Sequence, residues 1–75
     1  MRDHTSTTVT KDGIEYTFIE ADRMQQGNLS RALGYSIKTL SELKRAGCPF
    51  FGRFSSVQIV RTFEFHNRNW RDRQK

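Results

Sequence analysis

Cysteine, histidine and proline are scarce in this chain of 75 residues, and the first two scarcities each close a class of explanation. The single cysteine, Cys48, excludes an intramolecular disulfide. The two histidines, His4 and His66, stand far apart, so no zinc-ligand spacing exists and no metal or cofactor is expected. No apolar run approaches membrane-spanning length, and no signal-peptide pattern leads the chain. A reducing, cytoplasmic setting without a membrane partner is therefore the expectation. Paired carboxylates, a nucleophile beside a base and a phosphate-binding glycine loop are also missing, so an enzyme is not expected. Hydrophobic residues amount to only 35%, and a core in one small domain must be lean. Nine aromatics (six Phe, two Tyr, one Trp) supply large buried areas per residue to such a core.

What is present in excess is positive charge, and it is unevenly placed. The net charge is +5. Residues 1–28 hold three basic and five acidic side chains, net −2, whereas residues 29–75 hold ten basic against three acidic, net +7. A one-sided basic field favours a polyanion, with nucleic acid first and an acidic membrane second.

The opening residues 1–7 are polar and aperiodic and read as a flexible tail, in which His4 has no partner. From Thr8 to Ile19 the pattern becomes a β-hairpin: Asp12-Gly13 is a strong two-residue turn signal, and Ile14, Tyr16 and Phe18 alternate with Glu15 and Thr17. An isolated hairpin is marginal in water, so this one is expected to rest on helices as scaffold. Asp22 followed by Gln25 resembles a capping box, but Gly27 would then lie inside the helix. A helix start nearer Gln25, with Met24 packing from outside, is preferred.

Residues 29–46 are the centre of the reading. They form two short helices joined at Gly34-Tyr35-Ser36, with a left-handed glycine closing the first and Ser36 capping the second. Leu29, Ala32 and Leu33 give the first helix an apolar edge, and Ile37, Leu40 and Leu43 give the second another. Lys38, Thr39, Ser41, Glu42, Lys44 and Arg45 make the polar face of the second helix. This is the form of a helix-turn-helix occupying about 25–46, whose second helix enters the DNA major groove. Gly47 stops that helix and Pro49 prevents its continuation, leaving Cys48 between them as a small buried hydrophobe. Residues 49–54 suit a compact wing, with Phe50 or Phe51 inserted under the helices and Arg53 pointing out.

A last helix is expected over 55–70. Ser55 and Gln58 read as its capping box, and Phe54 and Ile59 as the matching hydrophobic staple. Val57, Val60 and Phe63 recur at three-residue spacing, with Ile59, Phe63 and Trp70 extending the apolar surface. Phe65 falls outside both sets, and His66 reads as a residue of the polar face. The end, 71–75, is basic and either follows phosphates or is solvated.

The residues from Met24 to Phe51 resemble the amino-terminal DNA-binding domain of lambda-like phage terminase small subunits, and are similar to the wider MerR-like and excisionase-like winged-helix group. The resemblance rests on Leu33-Gly34 with Ser36, on Thr39-Leu40, and on Gly47-x-Pro49. It implies a mainly α fold with a small β component: a three-helix winged helix-turn-helix in a domain spanning 8–70, which here begins with the β-hairpin at 8–19. It also implies recognition of a packaging site and delivery of double-stranded DNA to a large terminase subunit, in the host cytoplasm. Three departures stand against it. Leu43 occupies a usual tryptophan position, the hairpin looks like an addition, and assembly regions after the third helix are not seen. An excisionase-like or transcriptional regulator is the alternative role. A protein-interaction module presenting Phe65 and Trp70, without DNA binding, is the alternative of another class.

If the chain binds DNA, phosphate contacts supply affinity and base-edge contacts supply specificity. The start of the second helix at Ser36 can offer backbone N–H groups to a phosphate. Lys38 can donate to guanine, and Thr39 can meet a thymine methyl or a phosphate. Arg45 is placed toward the groove with them. Glu42 either accepts from a cytosine amino group or pairs with Lys38 or Arg45. Arg31 on the first helix and Arg53 on the wing are candidates for phosphate or minor-groove contact. A single module of this size should bind weakly, so a homodimer or higher oligomer on DNA is expected.

Overall fold

A computed structural model of the chain describes residues 6–50 and 54–72. Residues 1–5 of the expected 1–7 tail, with His4, the wing residues Phe51, Gly52 and Arg53, and residues 73–75 of the expected 71–75 basic end lie outside the described residues. Among those described, three α-helices and four short antiparallel strands make a small mixed fold, in the order β1, β2, β3, α1, α2, β4, α3.

β1 (Ser6–Lys11) and β2 (Ile14–Ile19) form the expected hairpin, with Lys11 opposite Ile14 and only Asp12 and Gly13 between them. Both turn residues have positive φ, 55° and 79°, the geometry whose twist matches paired strands. The first strand begins at Ser6, so Ser6 and Thr7 are not tail: Thr7 pairs with Phe18, and its hydroxyl donates to Glu20 Oε2 at 2.9 Å. The alternation of β2 is realised as read, with Tyr16 and Phe18 buried, Ile14 half-buried, and Glu15 and Thr17 exposed. That face packs on α3, which is how a marginal two-stranded element is held. Full burial of a side chain such as Phe18 contributes about 1.5–3 kcal/mol.

A single 3₁₀ turn (Glu20–Asp22) leads to β3 (Met24–Gln25), which pairs with β4 (Phe54–Ser55). This second ladder is a feature that periodicity did not reveal. α1 (Gln26–Leu33) starts close to the preferred position but has no side-chain cap at Gln25. It buries Leu29 and half-buries Leu33, while Ala32 is exposed and forms no part of its apolar edge. Gly34 closes it at φ 77°, where a side chain would be strained, and the N–H groups of Gly34 and Tyr35 both donate to the Ser30 carbonyl.

α2 (Ile37–Ala46) occupies the expected span. Ser36 caps it, accepting from the Thr39 N–H at 3.1 Å. Gly47 ends it in a left-handed conformation, with Cys48 N–H donating to Leu43 O and Gly47 N–H to Lys44 O. Lys11 Nζ reaches the Gly47 carbonyl from the hairpin at 2.7 Å.

α3 departs from expectation at both ends. It runs Val57–His66, and its cap is Ser56, which accepts from Ile59 N–H at 3.3 Å. Ser55 is instead held in β4 opposite Met24, so the Ser55–Gln58 box and the Phe54–Ile59 staple do not form the helix start. At the other end Asn67 replaces the next helical turn: its backbone N–H and side-chain Nδ2 both donate to Phe63 O, at 2.9 and 3.0 Å. The chain then turns, Trp70 N–H donating to Asn67 O, and Trp70 drops into the core at 3% exposure. The core joins Leu29, Leu40, Leu43, Ile59, Val60 and Phe63 of the three helices with Tyr16, Phe18, Cys48 and Trp70. Phe50 packs partly against it, as one of the two aromatics read for that role.

Candidate nucleic-acid interface

Lys38, Ser41, Lys44 and Arg45 of α2 are exposed, together with Ile37, on the arc of the helix that Leu40 and Leu43 leave uncovered. Successive residues of a helix turn by about 100°, so an i, i+3, i+6 row drifts by about 60° per step. Leu40 and Leu43 lie on the inward side of that row, both fully buried. Ile37 has drifted out of it and is 48% exposed, which corrects its assignment to the apolar edge. It shares the outer face with Lys38, Ser41, Lys44 and Arg45, all exposed. Ser41 and Lys44 lie at the middle and edge of this face, though neither was singled out from the sequence as a contact. The same drift calculation would have found them.

The remaining sequence candidates fall at other places. Thr39 is half-buried; its backbone N–H is bound to Ser36 Oγ and its hydroxyl lies 3.0 Å from the same atom. It therefore supports the helix start more than it faces a ligand. Glu42 is half-buried at the margin of the outer face, and among the described residues no ion pair joins it to Lys38 or Arg45. Ser36 is exposed, but its side-chain oxygen is engaged as the cap. Arg31 is exposed on α1, its guanidinium 3.3 Å from Asn28 Oδ1. Arg53 lies outside the described residues.

The turn that aims α2 is fixed from α3. The Tyr35 hydroxyl lies 2.9 and 2.7 Å from the two carboxylate oxygens of Glu64 and donates to that group. Ser30 Oγ donates to the Tyr35 carbonyl from the other side. Burial pushes the Tyr35 phenol above its ordinary value, and the Glu64 carboxylate adds to that shift. Tyr35 and Glu64 were not recognised as partners, because 29 positions separate them.

Cations are also arrayed on α3 and after it. Arg61 is exposed on the helix, Arg68 lies over the Phe65 ring at 5.3 Å, and Arg71 over Trp70 at 5.1 Å. Phe65 is 63% exposed, as its position outside the apolar sets implied, and the His66 ring meets it edge-on at 5.1 Å. Trp70, expected to be available to a partner alongside Phe65, is buried and is not. A shallow depression lined by Glu20, Arg23 and Phe54 lies near the β3–β4 ladder. Glu20 there accepts from Thr7 and Arg23, and these bonds, Thr7 first, hold its carboxyl below the ordinary value. Cys48 is buried and its thiol is pushed up to about 12, chiefly by desolvation, so it is a packing residue and not a nucleophile. No cluster of three or more metal-ligating side chains occurs among the described residues, and no helix there is long and apolar enough to cross a membrane. Comparison with protein-family models, curated proteins and solved structures finds no match.

Proposed function

We propose that this chain binds double-stranded DNA as a winged helix-turn-helix, with α2 in the major groove. The observation that carries the reading is the outer face of α2. It presents Lys38, Ser41, Lys44 and Arg45, with Glu42 only at its margin, on a helix whose buried side and both ends are firmly fixed. Lysine and arginine supply phosphate contacts and donors to guanine, and a serine hydroxyl both donates and accepts. The excess positive charge of residues 29–75 adds a long-range attraction of the domain to a polyanion. The turn between α1 and α2 is braced by Tyr35 against Glu64, which supports the reading by holding α2 in a fixed orientation.

Fluorescence anisotropy on duplexes selected from a random pool, repeated across salt concentrations, tests the proposal. Lys38→Ala is expected to weaken the selected site by about 1–3 kcal/mol if it contacts a base. Lys44→Ala is expected to weaken all sequences alike and reduce the salt slope by about one. Binding that ignores salt, or that both substitutions leave unchanged, overturns the reading. Two copies bound at half-sites one DNA turn apart are the expected stoichiometry on a tight site. Within DNA binding, the residue pattern from Met24 to Phe51 favours genome packaging with a large terminase subunit over an excisionase-like or regulatory role.

A further inference from the structure

Ile37 is one of two large hydrophobic side chains left exposed among the described residues, and it stands on the outer face of α2. Its position is the first of the helix, directly after the Ser36 cap. Every neighbour on that face, Lys38, Ser41, Lys44 and Arg45, is polar. The core does not need it, since Leu40 and Leu43 already fill the inward side of α2. An aliphatic group at the leading end of a reading helix has one chemical match in the major groove, the C5-methyl of thymine. Resting on the DNA-binding reading, we infer that Ile37 is a specificity residue that recognises a thymine methyl. Lys38, adjacent in the same turn, then places a guanine within a few base pairs of that thymine.

Deoxyuridine tests this directly, because it removes the methyl and keeps the base pair. Once a preferred duplex has been selected, each thymine is replaced singly and affinity is measured for the parent, Ile37→Ala, Ile37→Val and Lys38→Ala. For the parent, one position should lose about fourfold, the worth of one buried methyl-sized group. Ile37→Ala should bind the thymine duplex more weakly and show no further loss with deoxyuridine at that position. Ile37→Val keeps a branched aliphatic surface and should retain part of the difference, and Lys38→Ala should retain all of it. Circular dichroism confirms folding of each variant, which the exposure of Ile37 favours. Salt-dependent DNA binding with no deoxyuridine penalty at any thymine, or with the penalty intact in Ile37→Ala, overturns the role of Ile37 and leaves DNA binding standing. Absence of salt-dependent binding to any duplex overturns both.

Discussion

Replacing Tyr35 by phenylalanine removes one oxygen atom and, with it, the brace between the α1–α2 turn and α3. The hydroxyl lies within 2.9 Å of both Glu64 oxygens, so a single donor is shared between the two oxygens of one carboxylate. Hydrogen bonds to charged groups contribute about 1.5–3 kcal/mol when well enclosed. Both residues are half-buried, so water partly replaces the lost partner, and a destabilisation of about 1–2 kcal/mol follows. In a domain of this size each kcal/mol shifts the melting temperature by about 4–8 °C, giving an expected fall of about 4–16 °C by circular dichroism. Glu64→Gln keeps an acceptor and should lose about half as much. The double variant should show a coupling of at least about 0.5 kcal/mol. A Tyr35→Phe protein that melts within about 2 °C of the parent, or a strictly additive cycle, would refute the brace.

Two further perturbations probe the same framework. Ser56→Ala should lower stability in urea by about 1 kcal/mol through loss of the α3 cap, whereas Ser55→Ala should cost less, since its buried hydroxyl makes only a long bond of 3.5 Å to the Pro49 carbonyl; a Ser56→Ala protein as stable as the parent would contradict Ser56 as the cap. Thermal melts from pH 7 to 11 should show stability falling from about pH 9. The native Cys48 thiol keeps its proton to about 12, whereas the unfolded one loses it from about 9, so its contribution is complete below 9 and declines above. Tyr16 and Tyr35, both raised above 10.0, act in the same direction at higher pH. Cys48→Ala should flatten the limb between pH 9 and 10, and an unchanged slope there would contradict a buried, protonated thiol.

Local signals in this chain were readable because each is decided by two or three neighbouring residues. Asp12-Gly13 sets a hairpin turn, Gly34 and Gly47 end helices, and Ser36 starts one, all without knowledge of the rest of the fold. The β3–β4 ladder has only two residues per strand and joins Met24 to Ser55, so no periodicity announces it. Its formation also settles which of two adjacent serines caps α3, a choice that the capping pattern alone made in favour of the wrong one. Trp70 continues an apolar row and so reads from the sequence as helical; the Asn67 side chain ends the helix before it by competing for the Phe63 carbonyl. Of the candidate site, the capped helix and its basic side chains were legible. The orientation of Ile37 and Thr39 was not, because it depends on which part of a drifting apolar row faces the core.

The bond from Lys11 to Gly47 also bears on the field around α2. Aligned peptide dipoles give a helix a positive pole at its start and a negative pole at its end. At the end of α2 stand Lys44 and Arg45 from the helix itself and the Lys11 ammonium brought from the hairpin. The negative pole is thus offset by three cations, while the positive pole at Ser36 and Ile37 stays open to solvent. A helix of this kind presents no repulsive end to a chain of phosphates, whichever way along its axis that chain approaches. The hairpin, through one side chain, thereby alters the electrostatic polarity of an element 36 residues away.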